Sequence, residues 1–187
     1  VDNPSIEESV QRVEIYSASL KITGDLAISP PLRLSDEVNG LTDYIELKNS
    51  ITEPLLTSYP VVSPTESLTV IEKASVVLIV PVGNQADRKE QMWREKVKFH
   101  VVLNTTSFSM SADVHLEPRV TLLTQLERYE REFLAVTHLS AVAVASLNSL
   151  QPGGQPFTLH REFALVNPRN IVSFSVREAA AEAGAGA

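Results

Sequence analysis

One nine-residue stretch constrains the fold more than any other. Leu20-Lys21-Ile22-Thr23-Gly24-Asp25-Leu26-Ala27-Ile28 alternates apolar and polar, with Leu20, Ile22, Gly24, Leu26 and Ile28 on one face. Period two is the pattern of a strand buried on one side and wet on the other. The same strand is written again at Phe108–Leu116, where Phe108, Met110, Ala112, Val114 and Leu116 take the inward positions. The smallest inward residue is central in both, Gly24 and Ala112, and Asp25 is matched by Asp113. The chain therefore reads as two copies of one small β unit.

The rest of each copy lines up around that strand. Val13 and Ile15 make a first strand, Asp43–Asn49 a third, Leu68–Ile71 a fourth and Val76–Val80 a fifth. The unbroken apolar run of the fifth predicts cover on both faces. Pro30-Pro31 ends the long strand. Leu34 and Val38, four apart, predict one helical turn after it, stopped at Asn39-Gly40. Residues 50–65, with Pro54, Pro60 and Pro64, read as a loop. Val97 and Phe99 match Val13 and Ile15 at an offset of 84, so the first hairpin of copy two is expected to be four residues longer. From Leu20 to Val38 the offset is 88, at Ile45 and Leu47 it is 89, and at Ile71 and Val76 it is 95. Steps confined to loops are what a duplicated fold should show. In copy two, Leu122, Leu126 and Tyr129 predict a longer helix over 121–129, and Gly153-Gly154 marks a loop within 141–156.

The expected class is all-β: two tandem five-stranded small barrels with short helical turns after strand two. The expected boundaries are a tail at 1–11, copy one at 12–82, a charged linker at 83–95, copy two at 96–177 and a second tail at 178–187. Met92 and Trp93, the only Trp, would anchor the linker. Cores of about 80 residues each are thin, so packing between copies or self-association is expected to add stability.

The layout resembles the Sm-like small β-barrel. Gly24 inside the long strand, Asp36 and Asn39 after it, and the tight turn at Ala74-Ser75-Val76 carry the resemblance in copy one. Asn167-Pro168-Arg169-Asn170-Ile171-Val172 stands at the corresponding turn of copy two. The resemblance implies the barrel fold and, in the family, a ring that holds RNA. Neither copy has the Arg-Gly pair that helps Sm-like rings hold a uridine base, and copy two has Thr124 and Gln125 in place of the Asp and Asn.

No catalytic, cofactor or metal residue is expected. His100, His115, His138 and His160 each sit on a separate predicted strand, and strand histidines are more often surface groups than ligands. There is no His-Glu-x-x-His helix, no Gly-x-Ser-x-Gly elbow and no phosphate loop around Gly153-Gly154. Arg128 and Arg131 lie in a mixed-charge run with Glu127, Glu130 and Glu132. Arg161, Arg169 and Arg177 are expected in structural salt bridges more than in an anion site. No group of His, Ser and carboxylate is expected within hydrogen-bond reach. A net charge of −7 disfavours nucleic acid. The absence of Cys fits a reducing compartment, so a cytoplasmic place is expected, with no membrane span.

The reading that follows is a non-enzymatic interaction or scaffold subunit that binds a protein partner or itself. An Sm-like nucleic-acid-binding module and a small-ligand sensor are the alternatives. Gly24 is expected to mark a crowded bend, where Ala is tolerated and Val is not.

Overall fold

The structure, a computed structural model, describes residues 9–55, 63–83, 96–118, 121, 123–124, 133–144 and 156–177. Its strands are β1 (Ser9–Tyr16), β2 (Leu20–Ile28), β3 (Tyr44–Pro54), β4 (Thr65–Glu72), β5 (Leu78–Pro81), β6 (Val97–Thr105), β7 (Phe108–Leu116), β8 (Leu134–Ala143), β9 (Thr158–Val166) and β10 (Ile171–Arg177). Helix α1 (Leu34–Gly40) follows β2, and 3-10 turns at Lys73–Ser75 and Pro168–Asn170 precede β5 and β10. The all-β class read from the sequence is what forms. The ten strands join in one open antiparallel sheet, ordered β10-β6-β7-β8-β9-β5-β1-β2-β3-β4.

That order contains one permutation twice, β5-β1-β2-β3-β4 and β10-β6-β7-β8-β9. The registers repeat as well. Val13 faces Gly24 and Val101 faces Ala112. Val13 therefore corresponds to Val101 and Ile15 to Leu103, an offset of 88 in place of the expected 84. The first hairpins have equal length, because Tyr16 faces Lys21 as Asn104 faces Ser109. The expected insertion at Asn104–Ser107 is not there. Alternation at period two is unchanged by a slip of four residues, so the sequence pattern alone could not choose between the registers. Beyond the first hairpin the offsets read from sequence hold: Ile45 faces Ile71, and Leu134 faces Val166.

Two boundaries also move. β1 begins at Ser9, paired with Ile28, inside the expected tail. β3 continues to Pro54, paired with Leu20, through residues read as loop. Its second half is only partly buried and so carries no clean alternation. The remaining tail residues, the linker with Met92 and Trp93, the helix at 121–129 apart from Thr121, Leu123 and Thr124, the loop at 145–155 and the tail at 178–187 lie outside the described residues.

Each half has its own apolar core, and both cores cross the join. Val13, Ile15, Leu26, Leu34, Val38 and Leu47 pack in one core, which also takes Phe133 and Leu165 from the second half. Leu103, Phe108, Met110, Val136 and Leu139 pack in the other, which also takes Tyr16, Val77 and Leu78 from the first. Leu34 and Val38 are the buried face of α1, as their spacing predicts. A fully buried side chain of this size contributes about 1.5–3 kcal/mol, so cores shared in this way tie the halves together.

Gly24 sits where β3 comes closest. A Cβ there would stand 2.9 Å from the Cβ of Leu47 and 2.9 Å from that of Ser50. That corrects the expectation that alanine fits: both obstacles lie next to the backbone and cannot swing away. Ala112, at the matching place, carries its methyl fully buried.

Candidate functional site

Three places bring functional groups together: the join between the halves, the two free edges of the sheet, and a polar centre around Asp113.

At the join, β5 pairs with β9 at Leu78–Val166 and Ile79–Leu165. The run Val76–Val80 is buried throughout, because Val77, Leu78 and Val80 enter one core and Val76 and Ile79 the other. Side-chain amides reinforce this short ladder. Asn167 donates its backbone N–H to the Val77 carbonyl at 3.0 Å. Its Nδ2 donates to the carbonyls of Lys73 and Val76 at 3.0 and 2.9 Å. Asn170 Nδ2 reaches the Val76 carbonyl at 2.7 Å. Arg161 and the Tyr16 hydroxyl both donate to Glu14 Oε2, each at 2.9 Å. Burial first, and the Glu14 carboxylate second, hold the Tyr16 phenol far above its ordinary range.

The residues carrying the Sm-like resemblance have structural partners here. Asp36 Oδ2 accepts from the Arg33 N–H at the start of α1. Asn39 Oδ1 accepts from the Phe133 N–H of the second half at 2.7 Å. Lys73 Nζ donates to the carbonyls of Val38 and Leu41, closing the end of α1, and burial lowers its pKa. Beside this lies a cavity of about 390 Å³, lined by Asn39, Tyr44, Lys73, Phe133, Asn167 and Arg169 among others. Arg161 on β9 is engaged with Glu14, Arg169 lines the cavity, and Arg177 ends the edge strand β10. Three strands separate β9 from β10, so the three arginines do not share one strand pair.

The polar centre on β7 overturns the expectation that His, Ser and carboxylate stay apart. Asp113 is outward by the alternation of its strand, yet buried, because three neighbours cover it. His100 Nδ1 lies 2.9 Å from Oδ1, His138 Nδ1 3.0 Å from Oδ2, and Lys98 Nζ 3.5 Å from Oδ2. The hydrogen bond from His100, above all, holds the Asp113 carboxyl below its usual range. An ionised carboxylate only accepts, so both imidazoles carry a proton on Nδ1. His100 Nε2 lies 3.0 Å from the Ser111 hydroxyl. His115 pairs separately with Thr137 at 2.9 Å, and His160 is exposed on β9. Among the described residues no group of three or more metal-binding side chains could hold a metal ion.

The same centre recurs in the first half with different chemistry. Arg12 donates to Asp25 at 2.8 Å and Asn49 donates to it at 3.1 Å. Arg12 corresponds to His100 and Asn49 to His138. Asn49 and His138 both have positive φ, 49° and 50°. Each lies where the register of the long strand shifts, at Thr23/Asp25 and at Ser111/Asp113. In each half the aspartate accepts from the strands on both sides of its own, and one of the two donors stands at the register shift. The matched Asp residues were visible in the sequence. Their partners were not, because the 84-residue alignment set Arg12 against Lys96 instead of His100.

No protein-family model, no curated protein and no solved structure matches this chain. Among the described residues, no helix is long and apolar enough to cross a membrane.

The free edges are the remaining feature. β4 exposes Leu68 and Val70, and β10 exposes Val172 and Val176. A strand edge offers unpaired N–H and C=O groups to any extended chain.

Proposed function

We propose that the protein is a non-catalytic interaction subunit, built from two small Sm-like barrel repeats at 12–82 and 96–177, that docks other polypeptides by strand addition at β4 and β10. One observation carries this reading. The fold already extends its sheet across a strand edge, at β5 and β9, and leaves strands of the same two kinds open at its ends. The repeated strand order and the two cores, one centred on each half, support the duplicated-barrel description. Outer edges with alternate exposed apolar residues suit β-augmentation, in which backbone bonds supply affinity and alternate side chains supply selectivity. The Asp113 centre fits a structural role, since the first half builds the same arrangement from Arg12, Asp25 and Asn49, which cannot relay a proton to a serine.

The test is selection of short extended peptides from a displayed library against the full chain, repeated with Val70→Pro. Lys73 donates inward to the Asp43 carbonyl, so by alternation Val70 points its N–H outward. Proline there removes an outward donor and leaves the β3 ladder intact. Peptides that bind the parent and lose binding to Val70→Pro are expected. If no peptide depends on either edge, the docking reading fails.

A further inference from the structure

Resting on the docking reading, we propose that β4 takes a basic partner: an extended polypeptide segment with the pattern basic-x-apolar-x-apolar-x-basic, held by its backbone along the strand edge and by its side chains against Glu66, Leu68, Val70 and Glu72.

The repeat shows what this edge has to meet. β4 stands to the first half as β9 stands to the second. Ile45 faces Ile71 and Leu134 faces Val166, so β4 and β9 correspond at an offset of 95. Glu66, Leu68, Val70 and Glu72 therefore correspond to Arg161, Phe163, Leu165 and Asn167. On β9 the first half engages all four. Phe163 and Leu165 pack against its core. Arg161 donates to Glu14 at 2.9 Å, and Asn167 donates to the carbonyls of Lys73 and Val76. On β4 the two apolar positions are kept but uncovered: Leu68 is 51% and Val70 54% exposed. The two polar positions change from donors to acceptors, Glu66 for Arg161 and Glu72 for Asn167, both exposed. An ionised carboxylate only accepts, so a segment that fits here brings positively charged donors at its two ends and apolar side chains between them.

Among the described residues no basic side chain pairs with Glu66 or Glu72. Across the β3 ladder Glu66 faces Ser50 and Glu72 faces Tyr44. Glu46, behind Val70, adds a third carboxylate, against Lys48 behind Leu68. Elsewhere in this half, directly opposed base and acid close on each other: Arg12 faces Asp25 and Lys21 faces Glu53, each pair at 2.8 Å. A base opposite each edge glutamate repeats that pairing one strand further out. The four β4 residues alternate along the strand, so their side chains share a face. Their N–H and C=O groups point to the open edge, because Lys73 donates inward to Asp43. Their order, acid-apolar-apolar-acid, reads the same in both directions, so the segment fits parallel or antiparallel. The net charge of −7 draws a basic segment in before contact. β10 of another copy does not meet the pattern, since Arg177 is its one basic residue.

The experiment is fluorescence anisotropy on the full chain with two labelled peptides, one with the core Lys-Thr-Val-Thr-Ile-Thr-Arg and one with Glu in place of both bases. The chain is used as the parent, as Val70→Pro and as the double variant Glu66→Lys, Glu72→Lys, with circular dichroism to confirm that each folds. The parent is expected to bind the basic peptide about tenfold more tightly than the acidic one, with the preference falling as salt is added. Val70→Pro should bind neither, and the double variant should reverse the preference. Equal binding of both peptides by the parent, lost in Val70→Pro, overturns the basic partner and leaves docking at β4 standing. A basic preference that survives Val70→Pro or the double variant puts the peptide elsewhere and overturns the proposal. Failure of both peptides overturns it as well, and the library selection then separates the two readings: edge-dependent peptides of another pattern keep the docking reading, and their absence removes it. A parent mass above the 20.5 kDa of one chain, abolished by Val70→Pro and undisturbed by the basic peptide, would put a second copy on the edge and overturn the proposal.

Discussion

The internal join and the outer edges use equivalent strands and differ in what covers them. At the join, Leu165 and Val77 are buried and Asn167 clamps two carbonyls of the facing turn. At the edges, Val70 and Val172 occupy the equivalent positions in water, and Glu72 replaces the clamp. The difference teaches that one repeat sequence can carry a permanent contact or an open one, depending on a few positions at the strand ends. Burial of the apolar residues makes the contact stable. The amide clamp makes it specific.

Four measurements would break or sharpen this comparison. The largest effect is expected from Leu165→Ala, which opens a cavity at the join and should lower stability by about 2–5 kcal/mol. Val70→Ala, its outer counterpart, should stay within about 0.5 kcal/mol for the dilute monomer. Denaturant melts of both decide it, and equal losses would mean that the two edges are not in different environments. Next, Asn167→Ala removes two hydrogen bonds to carbonyls, although the Lys73 carbonyl keeps the Val76 N–H and the Val76 carbonyl keeps Asn170 Nδ2, and should cost about 0.5–1.5 kcal/mol. Glu72→Ala should change stability little. A neutral Asn167→Ala would remove the clamp from the argument.

Gly24→Ala tests the two halves at one matched position. The added methyl should strain β2 against Leu47 and Ser50 and cost roughly 1–3 kcal/mol, with Val worse. Ala112→Gly should lose only about 0.5–1 kcal/mol, through backbone entropy. Thermal melts that showed Gly24→Ala to be harmless would mean the close approach relaxes freely.

The smallest effect concerns acid. The Asp113 carboxyl is depressed in the folded chain, chiefly by the hydrogen bond from His100. Its contribution is present above the ordinary aspartate value of 3.8 and is lost as pH falls through the folded value. Asp25, depressed first by Asn49, behaves the same way. His115 is also depressed, by burial, so its protonation opposes folding as pH falls below 6.5. The second half should therefore begin to weaken at a higher pH than the first. Amide exchange measured from pH 7 down to 4 would show it, and His115→Gln should remove the difference.

Much of the fold was legible in the chain, and the reason is local. Alternation around Gly24 and Ala112 identified the long strands, and the Leu34–Val38 spacing identified α1. Which strands neighbour one another across the halves was not legible, because β5 and β9 pair through residues almost 90 positions apart with no distinctive side chains. The Asp113 centre was hidden for a related reason. Its histidines come from strands on either side, and period two leaves a four-residue slip invisible. The bulge that turns His138 toward Asp113 depends on a positive φ at a residue that is neither Gly nor Asn.

The position of β5 has a consequence for how the molecule is made. Six of the nine strand pairs in the sheet join strands that follow one another in the chain, so each can close soon after its second strand leaves the ribosome. β5 is different: one flank finds β1 already synthesised, while the other waits for β9, which emerges only after most of the second half. During that interval Leu78, Ile79 and Val80 have half their cover. The nascent first half is thus sticky until its own chain finishes the job, and neighbouring ribosomes on one message carry the complementary strand. Spacing between translating chains, as much as the finished edges, will decide whether β9 arrives from within the molecule or from the next one.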